Sequence, residues 1–174
     1  MDFAFFLELI QTFGYLGVFL ASLISSASIF IPIPSFVFSI AAGSVLNPFW
    51  VGIAGGTGSA IGEMTAYLVG LGIRKSHRKI TKRKQTNASK IRSSDRDHKM
   101  MKTIKSWFHR RYGPILIFIF AATPLPDDIL GIFCGIIKYD VKKFFIPLLL
   151  GKIAISMVLA YGGFYGISML GSML

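Results

Sequence analysis

Four apolar runs account for most of this chain, and two of them are broken by paired prolines. The runs cover residues 13–46, 49–73, 113–137 and 144–174. A helix needs about 20 apolar residues, roughly 30 Å, to cross a bilayer. The runs 49–73 and 144–174 satisfy that length without interruption. Pro32-Ile33-Pro34 breaks the first run, and Pro124-Leu125-Pro126-Asp127-Asp128 breaks the third. Proline removes a backbone donor and clashes with the preceding turn. The third run is thereby cut into 113–123 and 129–137, each reaching only about half the bilayer. Such a segment reads as a helix–break–helix hairpin that enters and leaves on one side. Backbone outside a helix survives at that depth only within protein or beside a water-filled cavity. The first break is more open, because 13–30 is long enough to span by itself and would then place the N-terminus inside.

Charge is confined as sharply as apolarity. No Lys or Arg precedes Arg74, and 15 of the 19 lie between Arg74 and Arg111. The net charge of +11 is therefore a property of one segment. Only 16% of the residues are charged and most of these lie in that one segment, so the chain does not read as a soluble nucleic-acid binder, whose basic face would lie on a polar domain. The positive-inside rule reads 74–111 as a cytoplasmic loop. It would also be drawn to anionic headgroups, at about 1 kcal/mol per basic residue near the surface. The N-terminus carries no basic n-region and does not read as a signal peptide. The expected division is a first membrane repeat 1–73, the basic loop 74–111 and a second membrane repeat 112–174.

The two membrane portions share an order of features. Phe13-Gly14 corresponds to Tyr112-Gly113, and Pro32, Pro34 and Gly43 to Pro124, Pro126 and Gly135. Gly62-Glu63 in the second run pairs in this scheme with Gly151-Lys152 in the fourth. With the basic loop inside, the first hairpin opens outward and the second inward. The expected fold is an all-α membrane protein, an inverted repeat of two re-entrant hairpins plus spanning helices, an arrangement used by transporters.

These residues resemble the DedA family, also called the VTT or SNARE-associated superfamily. The resemblance is carried by Phe13-Gly14-Tyr15, Pro32-Ile33-Pro34 with Gly43, Gly58-x3-Gly62-Glu63-x3-Tyr67-x2-Gly70, Arg111-Tyr112-Gly113, and Pro124-x-Pro126-Asp127 with Gly135. The acidic pair after the second proline motif looks like a short archaeal or bacterial branch. The resemblance implies lipid flipping or scrambling, of phospholipids or carrier-lipid phosphates, linked in many bacterial members to the proton gradient. This chain departs from the typical pattern. Ile24 and Phe36 stand where acids are usual, and Ala121 and Asp127 where arginines are usual.

Four charged residues fall within the apolar runs: Glu63, Asp127, Asp128 and Lys152. A charge at a helix centre costs about 2.5–3.5 kcal/mol on the insertion scale, so these side chains are expected to face protein or water. There they are candidates for proton or substrate handling. Asp127 and Asp128 could instead cap a helix starting at Ile129. Lys152 pairs with Glu63 or Asp127, or else reaches the cytoplasmic interface. Gly58, Gly62, Ala66 and Gly70 recur every four residues, a pattern for close helix packing. His77, His98 and His109 have no metal-ligand spacing, and neither metal nor cofactor is expected. Cys134 reads as an inert buried thiol. The functions left are a lipid transporter, an assembly or lipid-sensing protein, and, less favoured, an enzyme acting on lipid phosphates; self-association is open.

Overall fold

The computed structural model describes residues 10, 12–28, 36–84, 112–123 and 128–171. The four prolines of the two breaks and Asp127 lie outside the described residues, as does the basic segment 85–111. Among the described residues the protein is all-helical. Its helices are α1 (Tyr15–Ala27), α2 (Phe36–Gly43), α3 (Pro48–Lys84), α4 (Tyr112–Ala121), α5 (Asp128–Ile136) and α6 (Val141–Gly171).

Local chemistry sets the ends of these helices. Gly14, with φ 56°, turns the chain into α1 in a conformation that L side chains rarely adopt. Asn47 caps α3, its Oδ1 accepting from the Phe49 N–H at 3.0 Å, and Pro48 occupies the first helical position, where no donor is needed. Asp140 caps α6 in the same way, accepting from the Lys142 and Lys143 N–H groups at 2.9 and 3.1 Å. Those bonds, that of Lys143 first, together with the two lysine charges, hold the Asp140 carboxyl below its ordinary value.

Helix lengths correct one expectation. At 13 residues α1 covers about 20 Å, and the chain before it is already helical at residues 10, 12 and 13. The expected basic loop does not begin at Arg74, because α3 runs on as helix to Lys84. Of the described helices, only α6 is both long and apolar enough to span a membrane by composition, over Val141–Gly166 with mean hydropathy 2.0. The segment 49–73 is long enough but is diluted by Gly, Ser, Thr and Glu63. Those residues lie mostly inside the protein rather than against lipid.

α3 and α6 cross at the centre, with Gly52 against Met157 and Gly56 against Ile153. The short helices pack around that crossing. α1 lies on α3, where Gly58 meets the Phe19 carbonyl and Gly62 meets Leu23 and Ala27. α4 lies on α6, where Gly151 meets Phe118 and Ala121. α2 and α5 are exchanged: α2 packs on α6 and α5 on α3. A Cβ on Gly43 would stand 2.3 Å from the Ala160 carbonyl oxygen, and one on Gly135 2.1 Å from that of Tyr67. Only glycine allows backbones this close. Gly163 meets Ile40 and Gly70 meets Ile132 in the same fashion.

Equivalent contacts therefore recur along the chain. Phe19 answers to Phe118, an offset of 99, Gly43 to Gly135, an offset of 92, and Gly70 to Gly163, an offset of 93. The two apolar cores follow the same offsets. Val18, Ala42, Val51 and Ala160 are fully buried in one. Ile117, Cys134, Phe144 and Tyr67 take the equivalent places in the other. The caps Asn47 and Asp140 are also 93 apart.

This register corrects the expected equivalence of Glu63 and Lys152, which rested on aligning Gly62 with Gly151. Gly151 corresponds to Gly58, so Glu63 corresponds to Ser156 and Lys152 to Ser59. The glycine-rich sequence of α3 offers several alignments, and only the contacts choose among them.

Candidate functional site

The two charged residues of the long helices meet at the crossing. Lys152 Nζ of α6 forms an ion pair with Glu63 Oε1 of α3, with side chains only 11% and 6% exposed. Removing two charges from water costs several kcal/mol each, so they persist only as a close pair with further polar support. Lys152 thus turns inward rather than reaching the interface. Both positions are held by small neighbours. Gly62 lets α1 approach, and Gly151 lets α4 approach, each one residue before the charge.

The broken segments end beside this pair. Ala27, the last residue of α1, lies against Gly62, and Thr65 Oγ1 comes within 3.5 Å of the Ala27 carbonyl. Ala121, the last residue of α4, lies against Gly151 and is fully buried. Gly131 of α5 sits on Ala66, with the Glu63 carbonyl 3.7 Å from its Cβ position. Asp128 is half-buried one turn upstream, in the first turn of α5. The helix starts at Asp128 and not at Ile129, so Asp128 stands inside the positive end of the helix dipole. Asp127 lies outside the described residues.

The stripe Gly58, Gly62, Ala66, Gly70 serves two partners. Its first half receives α1 and its second half receives α5. Arg74, half-buried, donates from Nη1 to the Ile136 carbonyl at 2.8 Å, satisfying a free acceptor at the C-terminus of α5. Tyr67 donates to the Tyr139 carbonyl at 2.6 Å and stacks on Phe144 at 5.3 Å.

Sequence reasoning did not single out the buried hydroxyls of α1, α2, α3 and α6. Ser22, Ser25, Ser39, Ser59 and Ser156 are all at most 6% exposed. Serine is common enough in membrane helices that only the three-dimensional clustering marks these positions. Asn47-Pro48 was a readable cap signal, and Asp140 was the one acid near an apolar run left out of account. Among the described residues no three His, Cys, Asp or Glu side chains gather as a metal site.

The geometry leaves a helical protein with a paired charge at its core and two short helices, α1 and α4, ending beside it. A sequence model of the VTT domain matches residues 33–165. The chain belongs to the DedA (VTT-domain) family. That family consists of membrane proteins, transporter-like rather than enzymatic. The match covers α2 through most of α6 and so includes both helices that bear the ion pair. No curated protein and no solved structure matches the chain.

Proposed function

We propose that this DedA-family protein is a multi-pass cell-membrane transporter that moves a lipid across the bilayer, as a flippase or scramblase of phospholipid or carrier-lipid phosphate. The observation that carries the reading is the depth of the Glu63–Lys152 pair. Arg74, Lys75, Lys138, Lys142 and Lys143 gather at one end of the molecule, where Arg74 meets Ile136 and α6 begins. Exposed Phe49, Trp50, Tyr161, Phe164 and Tyr165 gather at the other. Basic and aromatic belts of this kind mark the two faces of a membrane, the basic one cytoplasmic. Glu63 is eleven residues from Arg74, about 16 Å, and Lys152 ten from Lys142, about 15 Å. Both distances are half of a roughly 30 Å hydrocarbon core. The pair therefore sits at the midplane, where ionisable groups are costly and mark transport paths.

The hairpin reading draws on the same contacts. α1 starts at the aromatic end, where the Asn47 N–H donates to Tyr15 Oη at 3.2 Å, and ends at the Glu63 level. α2 returns to the aromatic end at Gly43 and Ala160. α4 ends at the Lys152 level, and α5 returns to the basic end at Ile136. Two half-depth hairpins of opposite orientation, meeting at a charge pair, supply an inverted-repeat frame that can open to either side. In this frame the proline motifs of the sequence, Pro32 with Pro34 and Pro124 with Pro126, are the proposed break positions, and Asp128 stands at the start of α5 in the inner hairpin.

Glu63, Asp127 and Asp128 are then the proton-handling candidates, and anionic headgroups collect at the basic segment. The test is reconstitution in liposomes with fluorescent lipids under an imposed pH gradient. Wild type is expected to move at least one lipid class between leaflets, with Glu63→Gln and Asp127→Asn at least tenfold slower. Equal rates for both variants across all lipids would remove the transport mechanism. Lipid binding without translocation would instead establish a lipid-sensing or assembly protein.

A further inference from the structure

We propose that Ser22 and Ser39, converging on Gly55, form a buried hydration site that extends the Glu63–Lys152 centre into the α1–α3 half. A Cβ on Gly55 would lie 2.9 Å from Ser39 Oγ and 3.5 Å from Ser22 Oγ, so the bare glycine backbone is what both hydroxyls approach. Ser22 is fully buried, and its Oγ has no hydrogen-bond partner among the described residues. Native interiors rarely leave a hydroxyl in that condition, and internal water is the usual partner.

The neighbouring positions continue the polar environment toward the charges. Ser59, 2% exposed, lies one helical turn from Gly55 and one turn from Glu63 on the same face of α3. Ser156, 5% exposed, lies one turn from Lys152 on α6.

The other half provides an internal control with the same backbone arrangement. At the offsets fixed by the glycine contacts, Ser22, Ser39 and Gly55 correspond to Ala121, Gly131 and Leu148. Leu148 and Ala121 belong to the apolar core around Tyr67 and Phe144. The first half thus has a glycine where the second has Leu148, and two hydroxyls where the second has Ala121 and Gly131. The ligand this chemistry fits is neutral and small, with both donor and acceptor capacity. Two hydroxyls are too few oxygens for a dehydrated metal cation, which takes six or more. Water fits. The hydration does not depend on transport. If the centre carries protons, it gives the ion pair a wet flank toward α1.

The test uses the purified full-length protein in detergent and the variants Ser22→Ala, Ser39→Ala and the double variant. If both hydroxyls hold the same water, each single variant lowers Tm by about 2–4 °C, and the double variant falls no further than the worse single. An unchanged or raised Tm for Ser22→Ala overturns the proposal, because removing a merely unpaired hydroxyl is neutral or stabilising. Additive shifts overturn it too. A high-resolution map of the wild type provides the second measurement. Ordered density within about 3 Å of both Oγ atoms supports the site, and direct packing with no water between them excludes it.

Discussion

The α1–α3 and α4–α6 halves place their backbones alike and fill the space between them differently. Around α1 and α2 the fully buried positions are Val18, Ser22, Phe38, Ser39 and Val51, with glycines at Gly55 and Gly58. Around α4 and α5 they are Ile117, Ala121, Cys134 and Phe144, closed by Tyr67 and Tyr139. The small-residue half achieves close packing by backbone approach and leaves hydroxyls inside. The other half achieves it with aromatic area and one hydrogen bond from Tyr67. Equal frames with unequal fillings mean that the frame is set by the glycine contacts and caps, while the fillings are free to specialise.

The ion pair belongs to both halves, and breaking it is expected to have the largest effect. Lys152→Met leaves Glu63 as a buried lone charge and is expected to cost about 3–5 kcal/mol of stability, read from denaturation in detergent. The double variant Lys152→Met with Glu63→Met is expected to recover most of that loss. A double variant as unstable as the single would show that polar support, and not the unpaired charge, dominates.

Next come the paired glycines. Gly43→Ala and Gly135→Ala each place a methyl within 2.3 Å of a carbonyl oxygen on a partner helix. Both are expected to lower Tm by several degrees and by similar amounts. Gly72→Ala and Gly162→Ala, which meet open space, are expected to be neutral or to stabilise by up to about 1 kcal/mol through helix propensity. Unequal losses at Gly43 and Gly135 would show that the two frames are not equivalent.

Smaller effects separate the fillings. Tyr67→Phe removes the bond to the Tyr139 carbonyl and is expected to cost about 1 kcal/mol. Ala160→Gly, at the equivalent place, is expected to cost no more than the helix-propensity difference of about 1 kcal/mol.

The caps give the finest comparison. Asn47→Ala is expected to cost about 1 kcal/mol at any pH. Asp140 contributes only when ionised. Its folded carboxyl titrates below the ordinary value, so its contribution is complete above that ordinary value and is lost as pH falls through the lower, folded one. Asp140→Asn should therefore flatten the acid limb of a Tm–pH profile, while Asn47→Asp should introduce one.

Much of the helix layout was readable because prolines and charges punctuate it. The expected pieces 113–123 and 129–137 became Tyr112–Ala121 and Asp128–Ile136, since Pro124 and Pro126 leave little choice. The end of α3 was misplaced because charge density was taken as a loop signal, and a run such as Arg74–Lys84 is compatible with helix. The register between the long helices was not readable. α3 carries so many glycines that Gly62 with Gly151 matches as well by eye as Gly58 with Gly151. The inward turn of Lys152 depends on which helix covers it, and the hydroxyl set depends on four helices at once. Local sequence does not encode either of these.

The proline in α6 gives the charge pair a mechanical asymmetry. Pro147, five residues before Lys152, cannot donate to the Lys143 carbonyl, so α6 has a point of easy bending below its charge. α3 has no proline after its first turn and carries Glu63 on a helix about 55 Å long. One charge therefore stands on a helix whose hydrogen-bond ladder no internal proline interrupts, and the other above a joint in α6.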